Sequence, residues 1–152
     1  MTRPALTLRD LQVLLSIPAA KAGPNEDAIA VRATWEQTFN SGDADKIATL
    51  YTKNAMMFGS TAQLFTGADG VRMYFSQLPA GTKVKMGEQQ AIAHGPDLLF
   101  CSGFANFTLS DGTVLPYRLT LALVKADGKW LVAQHHGSPV PKGSRSPASA
   151  SR

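Results

Sequence analysis

The sequence predicts an α+β fold in which a strongly curved antiparallel sheet packs on three helices. Two observations carry this. Up to residue 78, two short strand-like runs apart, the apolar residues recur with the period of helices. From residue 82 onward they fall in long strand-like runs joined by short polar turns. Helices first and a meander of strands afterwards is an α+β arrangement, with the helices gathered on one face of the sheet.

The domain opens at Pro24. Asn25 stands where it can cap a helix over residues 24–40, and Glu26 and Asp27 suit the positive end of its dipole. Ile29, Arg32, Ala33, Trp35, Glu36 and Phe39 recur at helical spacing and give a face both apolar and charged. Ser41, Gly42 and Asp43 interrupt it. Asp43 can then cap a second helix through Tyr51, with Ile47, Leu50 and Tyr51 as its apolar side. Residues 55–59 and the pair Leu64 and Phe65 read as short strands. A third helix over residues 68–78 carries Val71, Tyr74, Phe75 and Leu78 on one side, and Pro79 to Gly81 close it.

Strands follow over residues 82–94, 98–109, 114–124 and 130–136. The pairs Asp111-Gly112 and Asp127-Gly128 are hairpin signals, and strands joined by tight turns run antiparallel. Strands this long twist and curl, leaving a concave face for the helices. A cleft between the two layers is the expected ligand site.

The ends carry their own expectations. Thr7 and Asp10 form a capping box, with Leu8, Leu11 and Leu15 on one face. This favours an amphipathic N-terminal helix over residues 1–23 and a cytoplasmic protein. The alternative is a weak signal segment with Ala20-Lys21-Ala22 as cleavage site, which makes the protein periplasmic or secreted. Residues 142–152, rich in Ser and Arg, are too polar to bury a core and are expected to be disordered.

Composition narrows the function. The chain is 44% hydrophobic and 17% charged, as in a folded domain in water, and no apolar run reaches the ~20 residues of a membrane span. The net charge of +4 comes from Arg3, Arg9, Lys21, Lys142, Arg145 and Arg152 at the ends, while residues 24–141 are close to neutral. No basic stripe interleaved with aromatics marks a nucleic-acid surface, so neither nucleic acid nor membrane is expected as a partner. Cys101 has no partner for an internal disulfide and reads as a small buried hydrophobe.

Trp35, then Ser41-Gly42-Asp43, Leu50-Tyr51 and Ala55, form one pattern. Asp127-Gly128-Lys129-Trp130, followed by His135-His136-Gly137-Ser138 and Pro141, form a second and more specific one. Together they resemble the nuclear transport factor 2-like superfamily over residues 25–141. The similarity is greatest to the branch with the calcium/calmodulin-dependent protein kinase II association domain and its SnoaL-like and ketosteroid isomerase-like bacterial relatives. The resemblance implies a cone-shaped α+β barrel, a homodimer or larger oligomer built on the sheet, and a pocket for small molecules or peptides. Leu121 stands where the kinase association domain carries a pocket arginine. Asn54 stands where an acid is common.

His136 is the first candidate for chemistry. Trp130, Val132, Gln134 and His136 alternate on one strand face, and the end motif favours His136 as the histidine pointing inward. It can serve as base or donor near neutral pH, or be a satisfied core histidine. Trp35, Tyr51, Phe58 and Tyr74 fall where the aromatic walls of such pockets lie, or are plain core. A buried Tyr51 hydroxyl can donate to an oxyanion. Asn106 can point inward from an apolar strand. Arg118 and Thr120 share a face; Arg118 can clamp a carboxylate or phosphate, or point outward because Leu119, Leu121 and Leu123 look like core.

An isomerase needs a carboxylate base, and Glu88 is the one acid inside a strand, sharing a face with Val84 and Met86. His94, His135 and His136 are the only histidines, two of them on opposite strand faces, so neither a metal nor a cofactor is expected. The leading expectation is a small-molecule-binding protein with a conical apolar pocket. One alternative is an isomerase or cyclase with His136 or Glu88 as base and Tyr51 as donor. A second is a homo-oligomeric assembly module.

Overall fold

A computed structural model describes residues 23–143. The helix and signal-segment readings of the first 22 residues, and most of the expected C-terminal tail, lie outside the described residues. Helix α1 spans Pro24–Asn40, α2 Ala44–Ala48 and α3 Gly67–Ser76. The strands are β1 Tyr51–Phe58, β2 Leu64–Thr66, β3 Lys83–Ala93, β4 Leu98–Thr108, β5 Val114–Ala126 and β6 Lys129–Pro139. They form one six-stranded sheet of order β2-β1-β6-β5-β4-β3, curved and not closed on itself. No helix among the described residues is long and apolar enough to cross a membrane.

The turn chemistry sets much of this. Asp127 and Gly128 both adopt positive φ, 50° and 76°, the conformation a two-residue hairpin turn demands. Asp43 caps α2 by accepting the Lys46 N–H at 3.0 Å. That helix stops after Ala48, short of the expected Tyr51. The Leu50 carbonyl accepts the Val132 N–H at 2.9 Å, so Tyr51 opens β1 beside β6. Every strand pair is antiparallel except β1 with β6. Those two strands are distant in sequence and have no tight turn to dictate their direction.

Helix α1 lies along the free edge of β3, and its polar residues do more than face water. Asn25 does not cap the helix; its Oδ1 accepts the Ala91 N–H at 2.8 Å. Glu36 Oε2 accepts the Met86 N–H at 2.7 Å, which holds its carboxyl below the usual range. Asn40 pairs with both backbone groups of Val84, at 2.7 and 3.0 Å. An exposed strand edge is a template for aggregation, and here the helix supplies its hydrogen bonds.

Arg32, on the same helix, is buried at 4% exposure. It faces a bulge where Gly87 and Glu88 together oppose Phe104. Its guanidinium donates to the Phe104 carbonyl at 2.7 Å, the Gln89 Oε1 at 2.7 Å and the Gly87 carbonyl at 3.3 Å. Gly103 leaves it room, since a Cβ there would lie 2.9 Å from Nη1. The core behind it is Trp35, Ile47, Met57, Leu99, Leu121, Leu123, Val71 and Val132. Cys101 belongs to that core, and burial pushes its thiol up.

Candidate functional site: an aromatic cavity closed by His135

A cavity of about 200 Å³ lies between the inner sheet face and the helices. Trp35 and Phe39 reach it from α1, Tyr74 and Phe75 from α3, Phe107 from β4, Tyr117 and Leu119 from β5, and His135 and Gly137 from β6. The rings form a continuous wall: Trp35 stacks on Phe39 at 5.2 Å between centroids, and Phe107 meets Phe39 at 5.5 Å and Tyr117 at 5.3 Å, both edge-on. Gly59 lets the wall close, because a Cβ there would overlap the Tyr74 ring. The Tyr74 hydroxyl accepts the Ser60 N–H at 3.0 Å, so its ring, not its oxygen, is offered to the space. No Asp, Glu, Lys or Arg lines this cavity among the described residues. Two other hollows, of about 290 and 470 Å³, lie at the α2–α3 end and beside the β5–β6 hairpin.

His135 is the buried polar side chain of the lining, which also includes Ser60, Thr82 and the hydroxyl-bearing rings of Tyr74 and Tyr117. It is 5% exposed, and its Nδ1 lies 2.8 Å from the Tyr51 hydroxyl. That hydroxyl also accepts the Trp35 indole N–H at 2.9 Å. Burial pushes the imidazole down to about 4, with neighbouring His136 adding to the effect, so it is neutral at pH 7. Burial also pushes the Tyr51 phenol well up.

The expected residues divide. Trp35, Tyr51 and Tyr74 are gathered at the cavity, Tyr51 behind His135 rather than in the wall. His136, expected to point inward, is exposed on the outer sheet face, and His135 takes the inner one. The cause is a bulge: Ala122 pairs with Gln134 and Leu123 with Val132, so Ala133 is an extra residue. An extra residue reverses the side of everything after it. Glu88 is also exposed rather than alongside Val84 and Met86, because the Gly87–Glu88 bulge reverses β3 in the same way. Asn106 points outward because its neighbours Ala105 and Phe107 point in, and Arg118 and Thr120 alternate with inward Leu119 and Leu121. Phe58 is 41% exposed and packs against His136 on that same outer face, at 5.7 Å.

Sequence placed Arg32 only on a mixed helix face and His135 and Gly137 only within the end motif, and did not single out Phe107 or Tyr117. A signal existed for the first of these: Gly87, a glycine inside a strand pattern, marks a bulge for a buried donor to satisfy. Nothing comparable marks Ala133.

Comparison with known proteins agrees with this architecture. A structure described as a calcium/calmodulin-dependent protein kinase II association domain from Xanthomonas campestris superposes with TM-score 0.73 at 24% identity, covering 80% of this chain and 91% of that one. The hub homology domain of that kinase from Chlamydomonas reinhardtii gives 0.67 at 18%, covering 80% and 100%. A nuclear transport factor 2-like protein of unknown function from Pseudomonas putida gives 0.65 at 17%, covering 78% and 89%. No curated protein matches the sequence. The SnoaL-like domain profile matches residues 29–142, and the chain therefore belongs to the SnoaL-like domain family, within the nuclear transport factor 2-like fold.

Proposed function

We propose that the protein binds a small, largely apolar molecule in the aromatic cavity, with His135 as its polar anchor. One observation carries this reading: the cavity walls are aromatic and uncharged, and one neutral imidazole stands among them. Gly137 leaves this space free, since a side chain there would point at Leu119, His135 and Tyr117. At about 200 Å³ it is smaller than the ~300–1,000 Å³ of drug-sized sites, which suits one ring with a short substituent.

Gly137 offers the test. A Cβ added there would stand 3.2 Å from Leu119 Cδ2 and 3.6 Å from His135 Nε2, inside the cavity. Gly137→Val is expected to weaken any ligand found in a thermal-shift screen of one-ring and two-ring compounds at least ~10-fold, by filling its place. A ligand that stabilises both forms equally binds elsewhere and refutes the reading.

A second observation favours self-association in addition. The outer sheet face is uncovered by any described element and exposes Met56, Phe58, Phe100, Phe104 and Ile92 around a polar centre of Thr120, Ser102 and His136. The likeness to the kinase association and hub domains supports a homodimer or larger ring formed on this face. Phe104, 51% exposed and registered opposite Arg118, is the residue to change. Phe104→Asp is expected to shift the mass seen by light scattering from oligomer to monomer, by placing a desolvated charge in the contact. A wild-type protein that is monomeric at ~100 μM removes this second reading.

A further inference from the structure

We infer that His135 is held as the Nε2–H tautomer and acts as a fixed hydrogen-bond donor, so that the cavity selects an uncharged ring compound presenting an acceptor oxygen, such as a carbonyl. This deepens the binding reading above and rests on it. The inference starts from Trp35. An indole nitrogen can only donate, so the 2.9 Å contact makes the Tyr51 oxygen an acceptor. Tyr51 then has one proton left to place, and His135 Nδ1 at 2.8 Å is the acceptor the structure supplies among the described residues. Were Nδ1 protonated instead, the Tyr51 oxygen would accept twice and its own buried proton would go unsatisfied, a loss of roughly 1–3 kcal/mol. The chain Trp35 to Tyr51 to His135 thus has one direction, and it leaves the imidazole proton on Nε2.

That nitrogen faces the occupant. It lies 3.6 Å from the place a Gly137 side chain would take, and Gly137 and His135 line the same cavity. Among the described residues it makes no hydrogen bond. A protonated nitrogen cannot take a proton, so this histidine offers a donor and no base. With no cation in the wall a single neutral N–H does not offset the desolvation of a carboxylate, and with no anion nothing offsets that of an amine. Burial, which keeps the ring from charging, points the same way.

The test compares four one-ring probes, acetophenone, toluene, benzoate and benzylamine, titrated into the full chain, with long-range ¹H–¹⁵N spectra of the imidazole at pH 7. The expected result is an unprotonated Nδ1 and a protonated Nε2, acetophenone about tenfold tighter than toluene, and no binding of the two ions. Acetophenone should also shift the Nε2 signal. A protonated Nδ1, equal affinity for toluene and acetophenone, or preferred binding of benzoate or benzylamine would each overturn the donor assignment while leaving the cavity a binding site. Failure of all four probes, toluene included, would instead count against the binding reading itself. The tautomer measurement uses the unaltered protein, so it does not depend on a variant that folds.

Discussion

Replacing Arg32 with methionine is expected to lower the unfolding free energy by about 3 kcal/mol, more than an ordinary buried methionine-sized change. Exchanging a buried ion pair for hydrophobes is often harmless, because both charges leave together. Arg32 is different. Its oxygen partners are the carbonyls of Phe104 and Gly87 and the Gln89 amide oxygen, at 2.7 to 3.3 Å, beside a weaker contact to the Met86 sulfur at 3.4 Å; two of the oxygens are backbone groups at a bulge. Methionine fills the volume and leaves those acceptors without a donor. The measurement is the urea midpoint at constant slope. A loss below about 1 kcal/mol would mean that water replaces the guanidinium and that the bulge does not need it.

The second large effect is acid lability. The His135 imidazole has an ordinary value of 6.5, and the fold holds it at about 4. Between those values the unfolded chain binds the proton more readily than the folded one, so stability rises with pH through that window. The contribution is fully present above pH 6.5, is lost as pH falls toward 4, and amounts to about 3 kcal/mol in all. Stability measured from pH 7 to 4.5 should decline steeply in the wild type. In His135→Gln, which has no proton to gain there, the decline should be shallower and the stability at pH 7 lower. Parallel curves for the two proteins would assign the acid sensitivity to other groups.

Both effects come from residues whose importance was hard to read in the sequence. Helices, strands, turns and family were legible because they rest on local chemistry: Pro24 opening α1, Asp43 capping α2, Asp127-Gly128 turning the last hairpin. The side each strand residue faces rests on unbroken alternation. Bulges at Gly87–Glu88 and at Ala133 break it, and the two candidate bases, Glu88 and His136, lie on or just beyond those points. Trp35, Tyr51 and Tyr74 lie at or behind the cavity, on α1, the first residue of β1 and α3, all of which come before either bulge. For Arg118, the run of Leu119, Leu121 and Leu123 already spoke for an outward position, and the structure has it exposed. The polar stripe of Asn25, Arg32, Glu36 and Asn40 on α1 read as a mixed helix face. Its meaning appears only when β3 is set beside it.

That stripe makes α1 the guard of the sheet's border. The backbone groups it occupies on β3 belong to a strand of eleven residues at the border of the sheet. Were α1 clipped off or displaced by heat, the freed border could recruit the same strand from another molecule, and each addition would present a fresh border to the next. Displacement of α1, which also takes Trp35 and Phe39 out of the core, would then be read out as fibre growth as well as unfolding.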